Sequence, residues 1–70
     1  MRIYDISQGN DIKAYLFIQD NGQKTWDFSP DEWGDQWLRA ASKTAIEQAV
    51  ESYPSEEVLS YSGLTIRQRA

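Results

Sequence analysis

Asp27, Asp31, Glu32 and Asp35 are the residues of this 70-residue chain whose type and clustering most invite chemistry, and that chemistry would be attraction of a divalent cation. Their spacing matches no calcium loop. Carboxylates in a first helical turn also complement the positive end of the helix dipole, and that structural role is the simpler reading. The chain contains no histidine and no cysteine. The commonest general base near neutral pH, the thiolate nucleophile and the usual zinc ligands are therefore absent. A serine nucleophile would need help from a lysine or carboxylate, and no serine stands in a recognisable elbow. Gly9, Gly22, Gly34 and Gly63 are isolated, so no glycine-rich phosphate loop exists. The expectation is a protein that is not an enzyme, with no cofactor and no metal site.

Aromatic residues offer recognition instead. Residues 12–18 read as a strand that is apolar on both faces. Ile12, Ala14, Leu16 and Ile18 point one way, while Tyr15 and Phe17, beside Lys13, point the other. Such a strand belongs inside a sheet covered on both sides, and 70 residues seldom supply two covering layers. One face is thus expected to await something outside the chain. Of the three tryptophans, Trp26 and Trp33 are explained as core and as helix staple. Trp37 falls at the border of a helical stripe, where a half-exposed tryptophan would anchor an interface.

The elements that position these residues follow from local signals. Residues 2–6 read as a first strand, residues 11–19 as a second, and residues 23–28 as a third. Between the second and third, a three-residue Asp20-Asn21-Gly22 loop with Gly22 left-handed sets Leu16 opposite Trp26 and Ala14 opposite Phe28. That register gathers Ile12, Ala14, Leu16, Ile18, Trp26 and Phe28 on one face. An even-length loop between the first two strands puts Ile3 on that core face and Tyr4 with Ile6 on the other. The outer face would then show Tyr4, Ile6, Tyr15 and Phe17 side by side.

A helix start is written at Ser29 (N-cap), Pro30 (first helical position) and Glu32 (capping box), with Phe28 and Trp33 as the staple. Gly34 weakens this first turn. From 36 to 52, Leu38, Ala41, Ala45, Ile46, Ala49 and Tyr53 form one stripe, and Arg39, Lys43, Glu47 and Glu51 lie opposite; Pro54 ends the helix. Residues 55–59 read as a short helix or an extended edge. Residues 64–69 alternate and read as a fourth strand beside the first. The expected fold is one α+β domain over residues 1–70: a small three- to four-stranded, mainly antiparallel sheet in β-β-β-α-β order, with one main helix packed on one face.

Composition limits the function. Eleven acidic residues against seven basic ones leave a net charge of −4, the wrong sign for a general phosphate-backbone binder. No apolar run reaches the about 20 residues of a membrane span, and the N-terminus lacks a signal peptide's apolar core, so a cytoplasmic protein is expected. The outer face has three candidate occupants: the C-terminal Val58, Leu59 and Tyr61, another protein or a second copy, or stacked bases. The preferred expectation is a small protein-interaction module, either a homodimer or an accessory or inhibitory subunit, with Tyr4, Ile6, Tyr15, Phe17 and Trp37 at the interface. One alternative is single-stranded nucleic-acid binding on the aromatic face with help from Arg67 and Arg69. Another is an acidic mimic of nucleic acid using Asp27, Asp31, Glu32, Asp35, Glu47, Glu51, Glu56 and Glu57.

Overall fold

The structure, a computed structural model, describes residues 1–28 and 38–69. Its elements are β1 (Arg2–Gln8), β2 (Asp11–Ile18), β3 (Lys24–Phe28), α1 (Ala40–Ser52), β4 (Val58–Tyr61) and β5 (Leu64–Gln68). The strands form one antiparallel sheet in the order β3-β2-β1-β5-β4. The α+β class, the helix on one face and the return of the last strand to β1 are as expected. The fifth strand, β4, arises in the stretch read only as a short helix or an edge. Ser62 and Gly63 both take positive φ (48° and 81°), the type I′ pattern that folds β4 onto β5 with Tyr61 opposite Leu64.

The β2–β3 hairpin follows its turn chemistry. The Gly22 N–H donates to the Gln19 carbonyl at 2.9 Å, and the Gln19 N–H donates to the Gln23 carbonyl at 2.8 Å. Gly22 sits at φ 90°, the left-handed position only glycine takes without cost. Leu16 therefore faces Trp26 and Ala14 faces Phe28, the register the bulged loop predicts.

The β1–β2 hairpin departs from expectation. Its Gly9-Asn10 loop does have even length, with Gln8 opposite Asp11. A β-bulge then intervenes: Ser7 pairs with Ile12 but Ile6 pairs with Ala14, so Lys13 is the extra residue on β2. Because side chains alternate with period two, this one-residue shift turns over the rest of β1. Tyr4 (2% exposed) and Ile6 (0%) join Leu16 and Ala14 in the core, and Ile3 moves to the outer face opposite Phe17. Ile12, beyond the bulge, is left 42% exposed rather than in the core.

The helix is also turned from its expected setting. Leu38, Ile46 and Val50 are buried with Tyr4, Ile6, Ala14, Leu16, Ile18, Leu64 and Ile66, whereas Ala41 and Tyr53 are exposed. The buried stripe has rotated about a quarter-turn from the alanines toward the larger side chains. Burying Ile and Val removes more apolar surface from water than burying alanines does. The rotation brings the row Lys43, Glu47, Glu51 against β3 instead of opposite the sheet. Trp26 Nε1 donates to Glu47 at 2.7 Å, Lys43 lies over the Phe28 ring at 5.7 Å, and Lys24 pairs with Glu51. A helical step of four residues and a strand step of two have nearly the same rise, about 6 and 7 Å, so the two rows stay in phase.

Arg39 is the helix N-cap, in extended conformation and without a side-chain cap, so α1 begins at Ala40. Tyr53, before Pro54, closes it by donating its N–H to the Ala49 carbonyl at 3.0 Å. The capping box of Ser29, Pro30 and Glu32, the staple partner Trp33 and the expected helical positions 36 and 37 lie outside the described residues.

Candidate functional site

α1 covers one face of the sheet, and among the described residues no element lies over the other. Cross-strand pairing sorts that open face into rows. The central row runs Val58, Arg67, Asp5, Tyr15, Asp27 from β4 to β3. Beside it lie Ile3, Phe17 and Thr25, flanked on β1 by Arg69, whose backbone N–H donates to the Ile3 carbonyl at 2.8 Å. Ser60, Thr65, Ser7 and Ile12 make up the third row.

Tyr15 and Phe17 form the centre, their rings tilted with centroids 6.5 Å apart. Arg69 spans the face diagonally: its Nη2 donates to Asp5 Oδ1 at 2.7 Å while its guanidinium lies 5.3 Å from the centroid of the Tyr15 ring. That arrangement neutralises Asp5 and stacks a weakly hydrated cation on an aromatic face, which suits partial burial. Val58 is 39% exposed at the β4 edge. Three of the seven basic residues, Lys13, Arg67 and Arg69, lie on this face, but of the described acidic residues only Asp5 and Asp27 do. Arg67 and Asp27 are exposed, and neither makes an ion pair among the described residues.

Of the residues expected at an interface, Tyr15 and Phe17 are brought together on the open face. Tyr4 and Ile6 are not; the bulge places them under the helix, where Arg2 donates to the Tyr4 hydroxyl at 2.9 Å. Trp37 lies outside the described residues. Ile3 replaces Tyr4 and Ile6 beside Phe17. Asp5 carried the overlooked signal: it shares a face with Ile3, and burying its carboxylate beneath a helix would be costly. The C-terminal segment does not cover the face either, because Leu59 and Tyr61 pack against the core from β4.

Other candidate sites offer less. Two open depressions, about 580 and 210 Å³, lie at opposite ends of the helix. Arg2, Asp20 and Glu51 line the larger in mixed charge, and the smaller is lined by Gln8, Leu38, Ser42, Tyr61, Ser62 and Leu64. The N-terminal ammonium, 2.8 Å from Asp20, holds that carboxyl below its usual range by hydrogen bonding and by charge. Among the described residues, no three acidic side chains gather to hold a metal; Asp31, Glu32 and Asp35 are outside them. Glu47 and Glu51 are engaged by Trp26 and Lys24, apart from Asp27 on the opposite face. No described helix is long and apolar enough to cross a membrane.

No family model, no curated protein and no solved structure matches this chain.

Proposed function

We propose that this chain is a non-catalytic, cytoplasmic protein-interaction module whose interface is the open sheet face centred on Tyr15 and Phe17. It acts as a homodimer or as an accessory or inhibitory subunit. One observation supports this most: among the described residues the sheet is covered on one face only, while the other presents the half-buried Ile3, Tyr15 and Phe17 and the exposed Val58. Fully burying one Phe-sized side chain is worth about 1.5–3 kcal/mol. Association costs consume much of the total from a few such residues, so micromolar affinity suits a patch of this kind.

Hydroxyl-radical footprinting at submicromolar concentration tests the reading before any partner is known. Tyr15 and Phe17 should be oxidised readily while Leu16 and Ile18, on the same strand, stay protected. Equal protection of all four at that dilution would mean the face is covered within the chain, and the reading falls.

A second reading, single-stranded nucleic-acid binding, is favoured by one observation: Lys13, Arg67 and Arg69 share the aromatic face while most described carboxylates lie elsewhere. Base stacking on Tyr15 and Phe17 with phosphates on the arginines would bind strongly at low salt and weaken steeply as salt rises. An oligonucleotide titration at low ionic strength should then lose binding in Arg67→Ala/Arg69→Ala. No binding by the unaltered chain removes this reading.

A further inference from the structure

Resting on the open-face reading above, we infer that the occupant of the face is a second copy of this chain, related by a two-fold axis that runs along the strands between β1 and β2.

The charge pattern of the central row leads to this. Arg67 on β5 and Asp27 on β3 carry opposite charges, and neither is in an ion pair among the described residues; β1 and β2 lie between them. Three strand spacings separate them, about 14 Å, too far for an ion pair within one molecule. A two-fold axis along the strands reverses the strand order while keeping each row on itself. The partner's β3 then lies over β5, so Arg67 faces the second copy's Asp27 at both ends of the interface.

The same operation pairs the rest of the face on β1, β2, β3 and β5 and leaves β4, with Val58, at the rim. Ile3 meets the second copy's Phe17 across the axis, giving an apolar centre, and Arg69 meets Thr25. Asp5 comes opposite Tyr15 with its charge already balanced by Arg69. An axis across the strands would instead stack each strand on its own copy, setting Arg67 on Arg67 and Asp27 on Asp27. Like charges placed opposite one another disfavour that alternative. The chosen axis gives face-to-face sheets of the aligned class, with both helices outside.

Size sets the strength. The face offers on the order of 500 Å² per copy, below the about 800 Å² per partner of a standard stable interface. A reversible dimer dissociating in the micromolar range follows.

Sedimentation equilibrium from about 1 μM to 1 mM, a range set by that expected affinity, tests the dimer and its axis together. The unaltered chain should pass from monomer to dimer. Arg67→Glu and Asp27→Lys, both at exposed positions, should each raise the dissociation constant at least about tenfold. Mixed in equal amounts, the two variants should recover dimer. At one end of the mixed interface the introduced glutamate faces the introduced lysine, and at the other the native Arg67 faces the native Asp27. Two results overturn the inference: a monomer throughout the range, or single variants that dimerise as well as the unaltered chain. A monomer whose Tyr15 and Phe17 are still oxidised at dilution would leave the open-face reading standing with a different partner. Protected rings at dilution would remove both.

Discussion

Ile6→Ala is expected to cost about 2–5 kcal/mol of folding stability, the range for truncating a fully buried isoleucine. For a domain whose total stability is about 5–15 kcal/mol, and nearer the lower end at this size, that is enough to unfold a large share of the molecules. The magnitude follows from position. Ile6 is 0% exposed, sits opposite both Ala14 and Ile66, and belongs to the cluster that α1 closes with Ile46 and Val50. Truncation there removes transfer free energy and leaves a cavity that the flanking strands cannot collapse into. Ile3→Ala, on the partly exposed face, should cost clearly less. Urea unfolding of the two variants measures the contrast. Ile3→Ala proving the more damaging would mean that β1 is not turned over by the bulge and that Tyr4 and Ile6 face outward after all.

Phe17→Asp should have the opposite profile, with little change in folding and a large change in self-association. Its ring is only partly buried, against Tyr15 and across from Ile3, so the loss in stability should be about 1 kcal/mol, the span of strand preferences. In the dimer, each copy loses only the burial of the part of the ring that the monomer leaves exposed, about a third of the 1.5–3 kcal/mol for a whole phenylalanine, and the two-fold axis doubles the loss to about 1–2 kcal/mol. The dissociation constant should therefore rise about five- to thirtyfold from the lost burial alone. A carboxylate brought to the apolar centre without a partner adds to the effect. Unfolding and sedimentation on the same sample separate the outcomes. A folded variant that still dimerises places the interface elsewhere; an unfolded one makes Phe17 a core residue.

Much of the fold was legible because it rests on local chemistry. Asp20-Asn21-Gly22 suits a bulged loop with a left-handed glycine, and the clean separation of polar from apolar residues that this loop produces placed Leu16 opposite Trp26 and Ala14 opposite Phe28. The alternation of residues 64–69 announced β5, and Pro54 the end of the helix. Tyr15 and Phe17 were recognisable as an outward pair because β2 is apolar on both sides. β4 was harder: Ser55 to Gly63 mixes proline-flanking polar residues with a short apolar run, and its strand depends on pairing with β5. The rotation of α1 was likewise hidden, because stripe geometry counts apolar positions without weighing alanine against isoleucine or valine.

By itself, the sequence determined the types of β1, β2, β3, α1 and β5, the helix-covered sheet and the aromatic pair at the centre of the candidate site, since each depends on neighbours a few residues apart. Apart from the signal in Asp5, the tertiary structure decided which residues share a face with that pair. One extra residue in the ladder, Lys13, turns Tyr4 and Ile6 inward and Ile3 outward, and no local signal at residues 11–14 marks the bulge. Likewise, Arg67 and Asp27 stand three strand spacings apart in one row only because β1 and β2 lie between β5 and β3. Strand order comes from packing between distant segments, so the self-complementary pattern exists in the folded sheet and nowhere in the linear chain.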